Sequence, residues 1–233
     1  MSFLGLSEHL LKSRIITIDG PAGSGKSTVS RELARRLGWS FLDTGAMYRA
    51  LAFAAAEAGQ DLADEKDVAK LAGRQNFEFM PKSEGIKVFL DGRDISSEIR
   101  RPEVTASVSR IASSPLLRSL MVEMQREFAK KAGDVVTEGR DQGSVVFPDA
   151  DVKFYLDAAA EIRAKRRAAE LEAAGQNADF QEVMKAIEQR DRADKSREVA
   201  PLVCPKEAVI IDTGNISIKQ VTEKMLSELK EKI

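Results

Sequence analysis

Residues 20–27 constrain this chain more than any other stretch. They read GPAGSGKS and match the spacing G-x-x-x-x-G-K-[ST]. A β-branched run at 15–18 precedes them, and a helical pattern that puts Val29, Leu33 and Leu37 on one face follows. Glycines let successive backbone N–H groups turn inward, and a helix start adds a positive field. The spacing therefore predicts a phosphate-binding loop; a glycine-rich turn without a ligand is the alternative.

The side chains of this loop favour a nucleoside triphosphate with magnesium. Lys26 is expected to reach the β- and γ-phosphates, and the Ser27 hydroxyl is expected to ligate Mg²⁺. The motif alone does not separate a kinase from a GTPase or a motor ATPase. The predicted ATP-binding residues are Gly20, Pro21, Ala22, Gly23, Ser24, Gly25, Lys26, Ser27 and Thr28.

Strands and helices alternate along much of the chain, which predicts an α/β fold with a parallel sheet and helices on both faces. Further short apolar runs, at 41–42, 134–137, 152–156 and 208–211, are predicted strands. Predicted helices cover 27–37, 46–58, 159–171, 179–192 and a last segment from 218.

The pattern changes after Gly59. A short helix is predicted at 64–72, and alternating residues at 77–80 and 86–90 predict an antiparallel hairpin around a loop at 81–85. Helices at 102–112 and 115–131 each carry proline near the first turn. We expect an N-terminal extension (1–13), a core (14–59 and 133–233) with a helical lid (about 160–200), and an inserted domain (60–132).

Composition limits the partners. The net charge is −1, so no overall basic surface for a nucleic-acid polymer is expected. Cys204 and His9 are the only residues of their types, which excludes an internal disulfide and a zinc site of Cys and His ligands. Apolar runs are too short to cross a membrane. Residues 1–13 lack the pattern of a signal peptide and predict a short amphipathic helix or a disordered extension. We expect a cytoplasmic monomer.

Three further stretches identify a resemblance. Residues 41–49 (FLDTGAMYR), 139–150 (GRDQGSVVFPDA) and 190–197 (RDRADKSR) follow the loop in order. Together they closely resemble bacterial cytidylate kinases, a family of P-loop nucleoside monophosphate kinases, from about residue 15 to the C-terminus. The resemblance implies transfer of the γ-phosphoryl group of ATP to CMP or dCMP, giving CDP or dCDP plus ADP, in pyrimidine nucleotide metabolism. It also implies that the insert is a monophosphate-binding domain.

The resemblance assigns an acceptor site. Thr44, Arg49 and Arg140 would hold the acceptor phosphate, and Asp141 would accept from the cytosine amino group. Two of these segments follow predicted strands, and ligands of open α/β sheets bind at the carboxyl ends of strands. Ser109 and Arg118 of the insert match family residues that contact the cytosine ring. Alternatives are a helix N-cap for Thr44, a solvated helix arginine for Arg49, a loop ion pair between the neighbours Arg140 and Asp141, and surface helix positions for Ser109 and Arg118. The full implied substrate set is Thr44, Arg49, Ser109, Arg118, Arg140, Asp141, Arg190, Asp194 and Arg197.

Arginines at helical spacing complete the predicted machinery. Arg190 and Arg197 would bind phosphates and Asp194 the ribose, since the three share one helix face. A surface salt-bridge ladder, with Asp191 pairing Lys195, is the alternative. Arg163, Arg166 and Arg167 resemble lid arginines that close over ATP, and Gly175 and Asn177 would let the lid flex. The predicted catalytic set is Lys26, Arg140, Arg190, Arg197, Arg163 and Arg167.

Some assignments stay open at this point. Glu138 lies where other family members carry Asp, and a metal or water-positioning role follows only weakly. Arg93 and Asp94 follow a turn signal and are interpreted as structural. Another small-molecule kinase is one alternative function. A regulatory nucleotide switch is another, although the chain has no Asn-Lys-x-Asp motif for guanine.

Overall fold

The computed structural model describes residues 13–82, 85–173 and 175–232; for Lys82 and Gly85 only the backbone is described. The predicted N-terminal extension lies outside these ranges, apart from Ser13. In the described part of the chain, no helix is both long and apolar enough to cross a membrane.

The main sheet has five parallel strands. They are β1 (Ile15–Asp19), β2 (Ser40–Asp43), β6 (Val135–Gly139), β7 (Val152–Asp157) and β8 (Val209–Asp212), in the order β2-β6-β1-β7-β8. The predicted α/β fold is therefore confirmed. Because all strands run the same way, the residues that follow β1, β2 and β6 meet at one edge of the sheet.

Helices cover both faces of the sheet because successive strand residues point to opposite sides. On one face, α1 (Lys26–Leu37) and α8 (Ile218–Lys232) bury Val29, Leu33 and Met225 against Ile16 and Phe154. On the other face lie α2 (Thr44–Glu57), α3 (Glu65–Ala72), α4 (Pro102–Ser113) and α5 (Pro115–Ala132). Two helices within the predicted lid, α6 (Ala160–Ala173) and α7 (Phe180–Ser196), pack against each other.

A second, antiparallel sheet contains β3 (Phe77–Lys82), β4 (Gly85–Leu90) and β5 (Arg93–Asp94) in that order. The prediction of a loop over 81–85 is wrong, because Pro81 pairs with Ile86 and the strands continue to residues 82 and 85. Proline is tolerated in β3 because it is an edge strand. Arg93 and Asp94 are structural, as predicted: Arg93 pairs with Glu57 and Asp94 with Lys87.

The insert shares its core with the rest of the protein. One apolar cluster runs from Leu42 and Met47 through Val68, Ile111 and Met121 to Val135. A smaller cluster packs the alanines of α2 against Val88, Ile95 and Ile99. The division into a core and an inserted domain at 60–132 stays a prediction. The helices of the insert pack with α2 on one face of the sheet.

Candidate active site

The loop at 20–25 joins β1 to α1, in the order strand, loop, helix that the motif requires. Gly20 has φ 147°, and a Cβ added there would lie 2.0 Å from the carbonyl oxygen of Leu156 in β7. Gly23 has φ 77°, and a Cβ there would lie 3.1 Å from Cβ of Arg163 in α6. Glycine is thus required where the loop packs against the sheet and against the lid helix.

Lys26 bends back over the loop. Its side chain is buried, and Nζ donates to the carbonyl oxygen of Pro21 at 2.6 Å. Burial, followed by repulsion from Arg140, lowers the pKa of Lys26 to about 7, while Glu138 acts in the opposite direction. An anion next to Nζ would favour the charged form. The geometry therefore suits a lysine that binds phosphate.

Glu138 connects the loop to α2. Its carboxylate Oε1 accepts from the Ser27 hydroxyl at 2.7 Å, and its backbone oxygen accepts from the Thr44 hydroxyl at 2.8 Å. This is possible because β6, which carries Glu138, lies between β1 and β2. The N-cap alternative for Thr44 is wrong: α2 begins at Thr44, and the Asp43 side chain caps it by accepting from the N–H of Ala46.

The structure brings the predicted acceptor arginines together. Arg140 Nε donates to Asp194 Oδ2 at 2.8 Å, and Arg197 Nη2 lies 3.7 Å from Asp194 Oδ1. Partial desolvation and then the charges of Arg140 and Arg49 lower the pKa of Arg190, although much of this residue faces solvent. Cations that repel one another in this way form a site for a polyanion.

Several guanidinium donors of this cluster have no acceptor among the residues that the structure describes. Nε of Arg49, and Nε and Nη2 of Arg197, are buried and make no hydrogen bond within the described ranges. Arg49 also lies 3.5 Å from the Asp43 carboxylate. Buried donors are costly when unsatisfied, so their natural partners are oxygens of a bound ligand.

A buried ion pair lies beside the arginines. Arg118 of α5 pairs with Asp141, which follows β6, and Arg118 Nη1 donates to the Tyr48 hydroxyl at 3.2 Å. Both charged side chains are buried, so the surface alternative for Arg118 is wrong. Burial lowers the pKa of Arg118 and raises that of Tyr48. Tyr48 was not predicted; its place beside Arg49, one helical turn after Thr44, was the available signal.

Ser109 differs from the other predicted base-contacting residues. It is exposed on α4, and its hydroxyl donates to the carbonyl oxygen of Ala106 in its own helix at 3.3 Å. Among the described residues, no hydrogen bond joins Ser109 to Arg118 or Asp141. Its contact with a base stays a prediction.

The three lid arginines point to different partners. Arg163 is buried; it pairs with both carboxylate oxygens of Asp191 at 3.0 and 2.6 Å and donates to the Ala22 oxygen of the loop at 3.1 Å. Arg166 donates to the hydroxyl and carbonyl oxygens of Thr213, at 3.1 and 2.5 Å. Arg167 is largely exposed and pairs with Glu170. The alternative of a surface ladder paired Asp191 with Lys195; in the structure Asp191 instead joins α7 to α6.

Comparisons with known proteins identify the family of this chain. The sequence profile of the family described as cytidylate kinase matches residues 16–231. A protein from Mannheimia succiniciproducens named cytidylate kinase is 42% identical over 224 residues, which are 96% of this chain and 99% of that protein. A second cytidylate kinase, from Syntrophotalea carbinolica, is 46% identical over 218 residues, covering 94% of this chain and 92% of its own.

The fold is also found among solved structures. A crystal structure of an uncharacterized protein from Eubacterium ventriosum superposes with a TM-score of 0.53 at 13% identity, covering 93% of this chain and 98% of that one. At such low identity the likeness shows the fold alone. The family follows from the sequence matches, which span nearly the whole chain: this chain belongs to the cytidylate kinase family.

Proposed function

We propose that the protein transfers the γ-phosphoryl group of ATP to CMP or dCMP, producing CDP or dCDP and ADP. The observation that carries this proposal is the position of the Arg118–Asp141 pair beside the cluster of Arg49, Arg140 and Arg197, at the sheet edge that also carries the phosphate loop. A carboxylate that can recognise a base, next to arginines that can bind phosphate, fits a nucleoside monophosphate as the acceptor. It fits a sugar kinase or a regulatory nucleotide switch less well.

The donor would lie in the loop. Backbone N–H groups at 20–27 and the start of α1 would hold the phosphates, with Lys26 as the mobile charge. Two arginines of α6, Arg163 and Arg167, remain the proposed lid contacts to ATP. Arg163 already uses most of its N–H groups on Ala158, Ala22 and Asp191, whereas Arg167 is far more exposed. We therefore expect Arg167 to contact phosphate more directly.

Magnesium fits the oxygens present. Ser27 offers a hydroxyl and Glu138 a carboxylate 2.7 Å away, and hard cations prefer such ligands. No group of three or more His, Cys, Asp or Glu residues suited to a metal occurs in the described ranges, which agrees with an ion held largely by phosphate oxygens and water. When bound, Mg²⁺ would neutralise charge on the phosphates.

The acceptor phosphate would be held by arginines from three stretches. Arg49, Arg140, Arg190 and Arg197 would neutralise it so that one of its oxygens attacks in line, and Asp194 would bind the sugar. No general base is required, because the attacking phosphate oxygen is already anionic at neutral pH. Without these cations the two anionic substrates would repel each other.

Asp141 would select the base. An ionised carboxylate only accepts hydrogen bonds, so it suits the exocyclic amino group of cytosine and opposes the carbonyl oxygen of uracil. Sites that leave a buried polar group unpaired reject the wrong ligand strongly. Arg118 and Tyr48 would hold the carboxylate in place.

A coupled assay of ADP production tests the proposal. With ATP and Mg²⁺, CMP and dCMP should be the best acceptors, UMP weaker and AMP poorest. Turnover of AMP as fast as that of CMP would favour another small-molecule kinase. Appreciable ATP hydrolysis without any acceptor would favour a regulatory switch. The monomeric state and the cytoplasmic location stay predictions.

A further inference from the structure

Asp19 is a buried carboxylate that the mechanism above does not use. It is the last residue of β1, is fully buried, and lies directly before the phosphate loop. Its Oδ1 accepts from the N–H of Gln142 at 2.8 Å and its Oδ2 from the N–H of Gly143 at 2.7 Å. Both donors belong to the segment that follows Arg140 and Asp141. The carboxylate therefore joins β1, which precedes the phosphate loop, to the segment that follows β6.

The two N–H groups start a π-helical turn, Gln142–Val146. Helical turns leave their first N–H groups without internal partners, and an Asp at the N-cap position commonly supplies one. Asp141 occupies that position here, but its side chain makes no capping bond; it pairs with Arg118 instead. Asp19 supplies the missing cap from the neighbouring strand.

The other end of the turn is also held from outside. Arg126 of α5 donates from Nε to the Val146 oxygen at 2.9 Å and from Nη2 to the Val145 oxygen at 3.1 Å. The turn packs closely on β1 as well, because a Cβ at Gly143 would lie 2.7 Å from Thr17 Oγ1. Contacts from β1 and α5 thus hold the backbone that follows Asp141, while Arg118 pairs with its carboxylate.

We propose that Asp19 is a positioning residue for the acceptor: it caps the 142–146 turn, so that the carboxylate of Asp141, paired with Arg118, can recognise the base instead of capping the turn. This inference rests on the proposed function, in which Asp141 reads cytosine. Burial raises the pKa of Asp19 to about 6, opposed by the N–H groups of Gly143 and Gln142, so the group is ionised at pH 7.5. An ionised carboxylate is the form that accepts both hydrogen bonds.

The test compares Asp19→Asn and Asp19→Ala with wild type. Asparagine keeps one acceptor oxygen but places its amide NH₂ donor against the N–H of Gln142 or Gly143. Alanine removes both acceptor oxygens. The KM for CMP should rise about tenfold or more, and the preference for CMP over UMP should fall, because the cap is a charge-assisted hydrogen bond. The KM for ATP should change much less, because the charge of Asp19 acts on Lys26 less strongly than burial, Arg140, Glu138 and Arg190 do.

Thr17→Val is the matched control. Thr17 lies on the same strand two residues earlier, faces the same way, touches the same turn and has a buried hydroxyl with no partner in the described structure. Its kinetic constants should equal those of wild type. An equal loss for both substrates in the Asp19 variants, or the same loss in Thr17→Val, would overturn the positioning role.

Hydrogen exchange on the wild-type protein gives a test that does not depend on whether a variant folds. The amides of Gln142 and Gly143 should exchange slowly, as buried hydrogen-bonded amides do. Exchange as fast as that of exposed amides would contradict the cap. Failure of the proposed function is distinguishable, since it would appear as absent CMP turnover in the wild type while these two amides remain protected.

Discussion

Arg140 Nε donates to Asp194 Oδ2 at 2.8 Å and so joins the turn after β6 to α7, across 54 positions of the sequence. Both side chains are mostly buried. Asp194 also lies near Arg197, so one carboxylate orders two of the arginines assigned to the acceptor phosphate. This contact therefore orders part of the site proposed for the acceptor phosphate.

Asp194→Ala should therefore weaken the acceptor site selectively. We expect the KM for CMP to rise at least about tenfold, because a buried charge-assisted contact is lost and two guanidinium groups repel without it. Steady-state kinetics with each substrate varied in turn measures this. Glu188→Ala, an exposed change on the same helix, is the control and should have no effect. A rise confined to the KM for ATP would contradict the assignment.

We propose that Asp141 selects the base. Asp141→Asn presents a donor where the carboxylate accepts, and Asp141→Ala presents neither, so the ratio of kcat/KM for CMP to that for UMP should fall about tenfold or more. Competition assays with both nucleotides measure the ratio. Asp149→Asn, an exposed change beyond the same turn, should leave it unchanged. An unaltered preference in the Asp141 variants would refute the role.

How far the sequence alone predicts this site depends on the kind of contact. The loop at 20–27 was predictable because it is local: strand, glycine spacing and helix follow one another. The convergence of Thr44, Arg140 and Asp141 was predictable in part, because parallel strands end at one edge. The pairing of Glu138 with both Ser27 and Thr44 was not, since it depends on β6 lying between β1 and β2.

Contacts between distant segments were missed for the same reason. The Arg163–Asp191 and Arg118–Asp141 pairs join residues whose local patterns suit solvated helix faces or loops. The π-helical turn at 142–146 could not be predicted from its own residues, because Asp19 and Arg126 in other elements hold its two ends. The start of α2 was misplaced because Asp43, rather than Thr44, provides the cap.

Lys26 should take up a proton when ATP binds. Its pKa is lowered to about 7, mainly by burial, so at pH 8 it is largely neutral; bound phosphates favour the charged form and raise that pKa. Calorimetry of MgATP binding in buffers with different ionisation heats should give an uptake of about one proton per site. ATP affinity should fall as the pH rises above 7.

Lys26→Ala is the matching variant. It should abolish that uptake and cripple turnover while leaving CMP affinity largely intact, because the lysine belongs to the donor loop. An equal proton uptake in variant and wild type would show that another group titrates.

Ser27 and Glu138 should set the magnesium requirement. Ser27→Ala removes the hydroxyl that donates to Glu138, so the Mg²⁺ concentration for half-maximal rate should rise several-fold at saturating ATP. Ser30→Ala, which removes a buried hydroxyl without a partner among the described residues, serves as the control from the same helix. Identical magnesium curves for Ser27→Ala and wild type would exclude Ser27 as a ligand.

The proposed function requires the acceptor nucleotide to lie beside the arginine cluster, and a crystal structure with CMP bound measures its position directly. It should place the phosphate among Arg49, Arg140 and Arg197, the sugar at Asp194, and the cytosine amino group at Asp141. A cytidine nucleotide bound away from residues 49, 140, 141 and 194 would contradict the account.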